Sequence, residues 1–319
     1  MVEDWRPGAT LAKIKQRARL LKTIRAFMEE RGILEVETPV FSRAGNTDPS
    51  LESFTTTFHS PQAGAPELFY LHTSPEFAMK RLLAAGTGSI YQIARVFRNE
   101  ECGRQHQPEF TLLEWYRTDF DHHQLMDEIA DLLKALNFGQ SRRVAFGELF
   151  QERTGIDPHD CDVSTLYKAA ADQGLVNPDR DRKILLEFLF DRLIGSGLGH
   201  DAPLFVYDYP VCQAALARIR RDPPPVAERF ELFMNGMEIA NGYNELRDAI
   251  EQKARFEVDN EMRRKMGLAE IPVDARLLAA LEQGLPSCAG AAVGLDRLLM
   301  VLSGSDSIED VVTFPANRA

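Results

Sequence analysis

Tyr91-Gln-Ile-Ala-Arg-Val-Phe-Arg-Asn-Glu100, followed after a polar loop by Glu109-Phe-Thr-Leu-Leu-Glu-Trp-Tyr116, is the stretch that decides the fold. Apolar and polar residues alternate through both halves, the period-two pattern of strands with one face turned to a core. The loop between them holds Gly103 and Pro108, so an antiparallel pair joined by a long loop is expected. Alternation puts Arg98 and Glu100 on one face of the first strand, and Phe110, Leu112, Glu114 and Tyr116 on one face of the second. If those faces coincide, one sheet surface carries a cation, carboxylates and aromatic rings together. Taken alone, Arg98 and Glu100 also fit a cross-strand pair on a face turned to water.

A second hairpin lies at Phe230-Glu-Leu-Phe-Met-Asn-Gly-Met-Glu-Ile-Ala240, where Asn235-Gly236 is the sequence signal of a two-residue turn. Such a turn pairs Met234 with Met237, Phe233 with Glu238 and Glu231 with Ala240, leaving Glu231 and Glu238 diagonal on one face. Carboxylates that close repel unless water solvates them or a hard cation such as Mg²⁺ lies between them. The run Ala240-Asn-Gly-Tyr-Asn-Glu245 is expected to break the ladder at Gly242, a bulge there turning Asn241 and Glu245 inward.

Working outward, Leu11, Ile14, Leu21, Ile24 and Met28 recur at helical spacing between Thr10 and Arg31, and Gly32 supplies the stop. Residues 33 to 40 read as a strand ending at Pro39, and 54 to 58 as a short strand. Helices are expected over 121 to 138, 181 to 195 and 246 to 266. The run Gly290-Ala-Ala-Val-Gly294 leads into a helix over 295 to 302 with Arg297 in its first turn. Free N–H groups and the helix dipole make that a plausible phosphate seat, although it fits neither dinucleotide nor Walker patterns, and close helix packing explains the glycines as well. Residues 140 to 205 carry the least signal and read as an insertion. Hairpins without a βαβα rhythm imply the α+β class, an antiparallel sheet flanked by helices, here in a single domain over 1 to 319.

The 319 residues carry a formal charge of −11, which repels polyanions, so nucleic acid is not an expected partner. Cysteines at 102, 161, 212 and 288 form no CxxC pair, which fits reduced thiols in the cytoplasm. No segment reaches the roughly 18 apolar residues of a membrane helix.

Together these segments resemble the class II aminoacyl-tRNA synthetases, most closely the lysyl branch. Arg31-Gly-Ile-Leu-Glu-Val-Glu-Thr-Pro39 is similar to the first class motif. Phe97-Arg-Asn-Glu100 through His106-Gln-Pro-Glu-Phe-Thr111 is similar to the second, and Gly290 to Arg297 to the third. Lysyl-type detail lies in Thr73-Ser-Pro-Glu-Phe-Ala-Met-Lys80, in Arg229-Phe-Glu-Leu-Phe233 through Glu238-Ile-Ala-Asn-Gly242, and in Asp310-Val-Val-Thr-Phe-Pro315. Barely thirty residues precede the first motif, so no N-terminal anticodon-binding OB domain is expected. A free-standing catalytic domain of this kind is similar to the lysyl-synthetase paralogues that place (R)-β-lysine on a lysine of elongation factor P.

The resemblance implies ATP and Mg²⁺ as cofactors, β-lysine and elongation factor P as substrates, a homodimer built through the first helix and strand, and no role for tRNA. It implies Arg98 on the α-phosphate and substrate carboxylate, Glu100 on the adenine amino group and Phe110 stacked on the ring. Arg104, His106 and Arg297 would hold the outer phosphates, with Asn99, Gln107, Ile239 and Gly294 completing the ATP site and Arg98 and Arg297 acting catalytically. Glu231 and Glu238 would ligate Mg²⁺. Ser74, Pro75, Glu76, Glu114, Tyr116, Asn241, Glu245 and Ala292 would line the amino-acid pocket. Gln107 stands where the family usually has Asn, and Ala292 where lysyl synthetases have Gly. Two other readings share these motifs: a tRNA-charging enzyme without its anticodon domain, and a non-catalytic regulatory paralogue.

Overall fold

Helix α1 (Leu11–Glu30) begins where Thr10, in extended conformation, accepts the Lys13 N–H on its hydroxyl, and ends before Gly32 at φ +65°. Its buried stripe is Leu20, Ile24, Phe27 and Met28; Leu11, placed on that stripe by spacing, lies ahead of it in the first turn and is exposed. The computed structural model describes residues 5–60, 64–176 and 180–319. After α1 come β1 (Leu34–Glu35), β2 (Phe41–Ser42), β3 (Thr55–Phe58), β4 (Glu67–Leu71), α2 (Glu76–Ala84), β5 (Ile90–Phe97) and β6 (Glu109–Thr118). Then follow α3 (His122–Ala135), β7 (Arg142–Ala145), α4 (Phe146–Thr154), α5 (Val163–Asp172), α6 (Arg182–Leu193), β8 (Leu204–Pro210), β9 (Ile219–Arg220), β10 (Val226–Met234) and β11 (Met237–Asn244). Last are α7 (Ala249–Lys265), α8 (Ala275–Gly284), β12 (Cys288–Gly294) and α9 (Leu295–Ser303).

These elements form two compact units, one of Met1–Asp119, Arg247–Cys288 and Ala292–Ala319, the other of Phe120–Leu246 and Ala289–Ala291. In the first, β5 and β6 are antiparallel as alternation predicts, with Ala94 opposite Leu112 and Val96 opposite Phe110. The strand expected over 33 to 40 is shorter: β1 pairs parallel with β5, Val36 donates one more bond to the Tyr91 carbonyl, and the chain then leaves. Pro39 has no N–H to continue the ladder, and β2 joins a separate sheet of order β2-β4-β3. Helices α1, α2, α7, α8 and α9 pack in this unit, and the Phe77 and Phe256 rings meet with centroids 5.7 Å apart.

In the second unit β11, β10 and β8 run antiparallel in that order, and β7 adds parallel to β8. The stretch 140 to 205 supplies much of this unit's core. Phe146 stacks on Phe150 and Phe190 and touches Tyr209, while Leu185, Leu186 and Leu189 of α6 pack in the same cluster as Val206 and Phe233. Both units thus place helices against a sheet that is mostly antiparallel, the α+β architecture read from the hairpins.

Candidate functional site

The residues singled out by sequence form two clusters, one in each unit. In the first unit the register sets Gln92 opposite Glu114 and Ile90 opposite Tyr116, so Phe110, Leu112, Glu114 and Tyr116 share a face with Gln92, Ala94 and Val96. Strand β5 stops at Phe97, but Arg98 extends the ladder by donating its N–H to the Pro108 carbonyl at 2.9 Å. Arg98 therefore keeps its expected face, and its guanidinium carbon lies 5.0 Å from the Phe110 ring centroid. Glu100 does not keep it. The Asn99 N–H turns to the Glu52 carbonyl and Glu100 adopts φ +67°, so alternation no longer governs where its side chain points.

The buried Nε of Arg98 has no hydrogen-bond partner, although Nη1 lies 3.6 Å from Glu101. A buried guanidinium donor left over in this way suits an anionic ligand. Farther along, Gly103 and His106 bridge each other, and Nη2 of Arg297 lies 2.6 Å from the His106 Nε2. Arg104 is mostly exposed and bonds the Asp306 carbonyl at 2.7 Å. Gln107 is buried and accepts the Ala316 N–H at 2.9 Å, which ties down the C-terminal segment. Ala292 and Phe110 both pack against the cluster of Ala94, Val96 and Leu112.

Deeper on the same sheet face, Glu114 is buried, accepting the Ser74 hydroxyl at 2.7 Å on one oxygen and the Tyr116 hydroxyl at 2.8 Å on the other. Pro75 caps α2, and Glu76 begins the helix with its N–H on Ser74 Oγ at 3.0 Å. Its carboxylate pairs with the buried ammonium of Lys80 at 2.7 Å, one turn on. Carboxylates held by hydroxyl donors on a largely buried sheet face can bind an ammonium group.

In the second unit the hairpin turn is as read, with Met234 opposite Met237 and Phe233 opposite Glu238. The register beyond it differs. Leu232 pairs with Ala240 and Glu231 with Asn241, so the extra residue is Ile239 and not Gly242. The bulge shifts parity three residues earlier than expected, and it is what puts Asn241 on the face of Glu231 and Glu238. Gly242 stays in the ladder opposite Phe230, whose ring covers it: a Cβ there would lie 2.4 Å from the ring and 2.9 Å from the Gly290 carbonyl. Glu245 is buried and bridges Ala217 just past β11.

Glu231 accepts the Tyr209 hydroxyl at 2.7 Å and is paired with the Arg229 guanidinium, which also donates to Asn241 at 3.3 Å. Burial pushes the Glu231 carboxyl up to about 7 against the pull of Arg229, and Glu238 and Asp191 add to the rise. Asp191 on α6 is itself raised, by burial first and then by Glu238. Glu231 and Asp191 thus both feel the negative charge of Glu238, which a hard divalent cation near them would offset.

A sequence profile for the class II tRNA synthetases of the D, K and N type matches residues 2–318. The chain belongs to that family. A protein of Vibrio cholerae named elongation factor P (R)-β-lysine ligase is 50% identical over 320 residues, covering 99% of both chains. Proteins of the same name from Yersinia enterocolitica and Histophilus somni are 47% and 46% identical, covering 98–99% of this chain and 97–98% of theirs.

Against this class II synthetase frame, sequence reasoning missed Asp191, Tyr209, Lys80 and Arg229 as members of the two clusters. Lys80 was legible as an i,i+4 partner of Glu76 once α2 is recognised, and Arg229 as two residues from Glu231 on the same strand face. Asp191 and Tyr209 reach the cluster only through tertiary packing. A separate group in the second unit, His122, His123 and Asp208, brings potential ligand atoms within 4.8 Å of one another. Its carboxylate, however, is engaged by Arg220 at 2.6 Å and His122 at 3.2 Å, an internal ion network. Among the described residues no helix is long and apolar enough to cross a membrane.

Proposed function

We propose that this protein is an ATP-dependent ligase that activates (R)-β-lysine as an aminoacyl-adenylate and transfers it to a lysine side chain of elongation factor P. The observation that carries the reading is near-full-length similarity, at 46–50% identity, to ligases of that name. The buried Glu114 cluster, of a sign that suits a diamino acid, and the unsatisfied Arg98 donor support it.

In this reading Arg98 and Phe110 receive the α-phosphate and the adenine ring, with Asn99, Glu100 and Gln107 beside them, and Arg104, His106 and Arg297 receive the outer phosphates. Glu114, held by Ser74 and Tyr116, meets a substrate ammonium, with Glu76 of the same unit contributing to the recognition of lysine. The substrate carboxylate needs no base, because with a pKa of about 3.5 it is ionised at neutral pH and attacks the α-phosphorus directly. Bonding of its oxygen to phosphorus expels pyrophosphate. Arginines already in place offset the charge that develops, which costs no reorganisation during the reaction. Glu231 and Glu238, with Ile239 setting the bulge between them, would hold Mg²⁺, which when bound adds Lewis-acid neutralisation of phosphoryl charge.

The second step is attack by the acceptor lysine on the adenylate carbonyl, with AMP leaving. Deprotonating an amine of pKa about 10.4 at pH 7 costs about 4.6 kcal/mol. Orientation within a docked complex offsets about 7–11 kcal/mol, so no dedicated base is required. Ala292 adds one methyl where a glycine would leave space, and a methyl discriminates by about 1–3 kcal/mol. The same reading places the protein in the cytoplasm, with four free thiols, as an isologous homodimer that does not charge tRNA.

Incubation with ATP, each lysine isomer and elongation factor P, followed by intact mass of the factor, tests it, with bulk tRNA as a parallel acceptor. A single aminoacyl addition to the factor with β-lysine is expected. Charging of tRNA with an unchanged factor, or no transfer with either isomer, refutes it.

A further inference from the structure

Thr111 follows Phe110 on β6, and Asp296 precedes Arg297 on α9, yet neither belongs to the set of ligand contacts above. Their side chains meet on a third residue outside every motif. Arg17, in the middle of α1, donates through Nη1 to Asp296 Oδ1 at 2.5 Å and through Nη2 to Thr111 Oγ1 at 2.6 Å. The other oxygen of Asp296 accepts the backbone N–H of Thr111 at 2.6 Å, closing a ring of three bonds. Asp296 is 2% exposed, and the Arg17 side chain 15%. The residue before it on α1, Gln16, takes hold of the far end of α9 by donating to the Leu302 carbonyl at 3.0 Å.

We propose that Arg17 is a positioning residue of the nucleotide site. The inference rests on the reading that this site binds ATP, and its logic is geometric and electrostatic. Period-two alternation puts Thr111 on the opposite face of β6 from Phe110, so the ring of bonds lies behind the sheet and cannot touch a nucleotide on the Phe110 face. What it fixes is the register between β6 and the first turn of α9, and therefore the placing of Arg297 and its partner His106 relative to Phe110. The second effect concerns charge. A buried carboxylate next to Arg297 opposes binding of polyphosphate at the α9 N-terminus, and Arg17 cancels it in place. The guanidinium suits both tasks because its fork serves two acceptors at once while its charge is permanent.

The experiment is lysine-dependent ATP–pyrophosphate exchange on the intact protein, with Michaelis constants for ATP and lysine measured separately and the thermal midpoint followed for each variant. Arg17→Gln is expected to raise the KM for ATP about 10–100-fold, as displacement of a positioned group does, with the KM for lysine within about twofold of wild type. Arg17→Gln/Asp296→Asn is expected to recover the part of that loss due to charge, severalfold in KM, because the unopposed carboxylate is gone while an acceptor for the Thr111 N–H remains. An unchanged KM for ATP in Arg17→Gln, equal losses for both substrates, or a double variant no better than the single one overturns the proposal. Should Arg17→Gln fail to fold, Arg17→Lys carries the comparison: it keeps the charge and loses one prong, so a severalfold rise in KM for ATP is expected and a wild-type value refutes. Absence of exchange in the wild-type protein with every lysine isomer would instead remove the reading of ATP binding itself.

Discussion

Replacing Glu114 by Gln separates charge from shape in the amino-acid pocket. In the native arrangement both carboxylate oxygens are acceptors, one for the Ser74 hydroxyl and one for the Tyr116 hydroxyl. An amide offers one oxygen and one NH₂, so one of the two hydroxyls must turn from donor to acceptor. Ser74 Oγ already accepts the Glu76 N–H, and its second lone pair lets it take either role toward the amide. The fold should tolerate this, at a cost of about 0.5–1.5 kcal/mol for one rearranged hydrogen bond. Substrate binding should not. A hydrogen bond to a charged partner is worth about 1.5–3 kcal/mol, so loss of the carboxylate charge is expected to raise the KM for lysine about 10–150-fold. The KM for ATP should stay within about twofold, since Glu114 lies four residue pairs along the ladder from Phe110. Exchange assays over a range of lysine concentrations, with thermal melts as control, decide it. A KM for lysine changed by less than about threefold, or a parallel loss in ATP affinity, refutes the assignment of Glu114 to the amino group.

Gly242→Ala forces a methyl to within 2.4 Å of the Phe230 ring, and about 1–3 kcal/mol of destabilisation is expected; an unchanged urea midpoint would show that the ring yields freely. Burial pushes the Asp208 carboxyl up, but bonds from His122 and Arg220 outweigh it and leave the group below its ordinary value. A carboxylate so depressed contributes stability that is complete above its unfolded pKa of about 3.9 and is lost as pH falls through the folded one. Arg220→Met should therefore move the acid-unfolding midpoint to higher pH, as read by circular dichroism, and an unmoved midpoint would mean the network carries no linkage. Glu231, raised to about 7 by burial and by Glu238, must shed its proton to ligate a cation. Mg²⁺ should accordingly bind tighter at pH 8 than at pH 6, with proton release visible in calorimetry, and pH-independent affinity over that range counts against the Glu231 site.

Much of the architecture was legible because alternation is a local property. The β5–β6 pair, the Asn235-Gly236 turn and the Thr10 to Gly32 limits of the first helix all follow from neighbours within a few residues. The parallel pairings were not legible. Strand β1 meets β5 across more than fifty residues of chain, and two residues of pairing leave no periodic signal to read. The stretch 140 to 205 looked uninformative for a related reason: its helices α4 and α6 pack against strands β8 and β10, so their apolar faces have meaning only with those strands in view.

At the site, what decided legibility was whether the backbone stayed regular between one functional residue and the next. Arg98 falls where alternation puts it because the ladder persists through its N–H, and Glu100 departs because the chain turns left-handed one bond later. On β11 the opposite happens. Strict alternation from Glu238 would give Asn241 the wrong face, and the residue reaches the Glu231 side because Ile239 is an extra residue in the strand. A glycine was the natural place to look for that irregularity, since glycine tolerates bulges, yet Gly242 is required by an aromatic ring lying over it. The bulge itself sits at an isoleucine that is 2% exposed, so what holds it in place is the packing of that side chain. An Ile239→Gly variant would keep the backbone permissive and remove the packing. If packing fixes the bulge, this variant should lose Mg²⁺ affinity, and unaltered Mg²⁺ binding would return the cause to backbone preference.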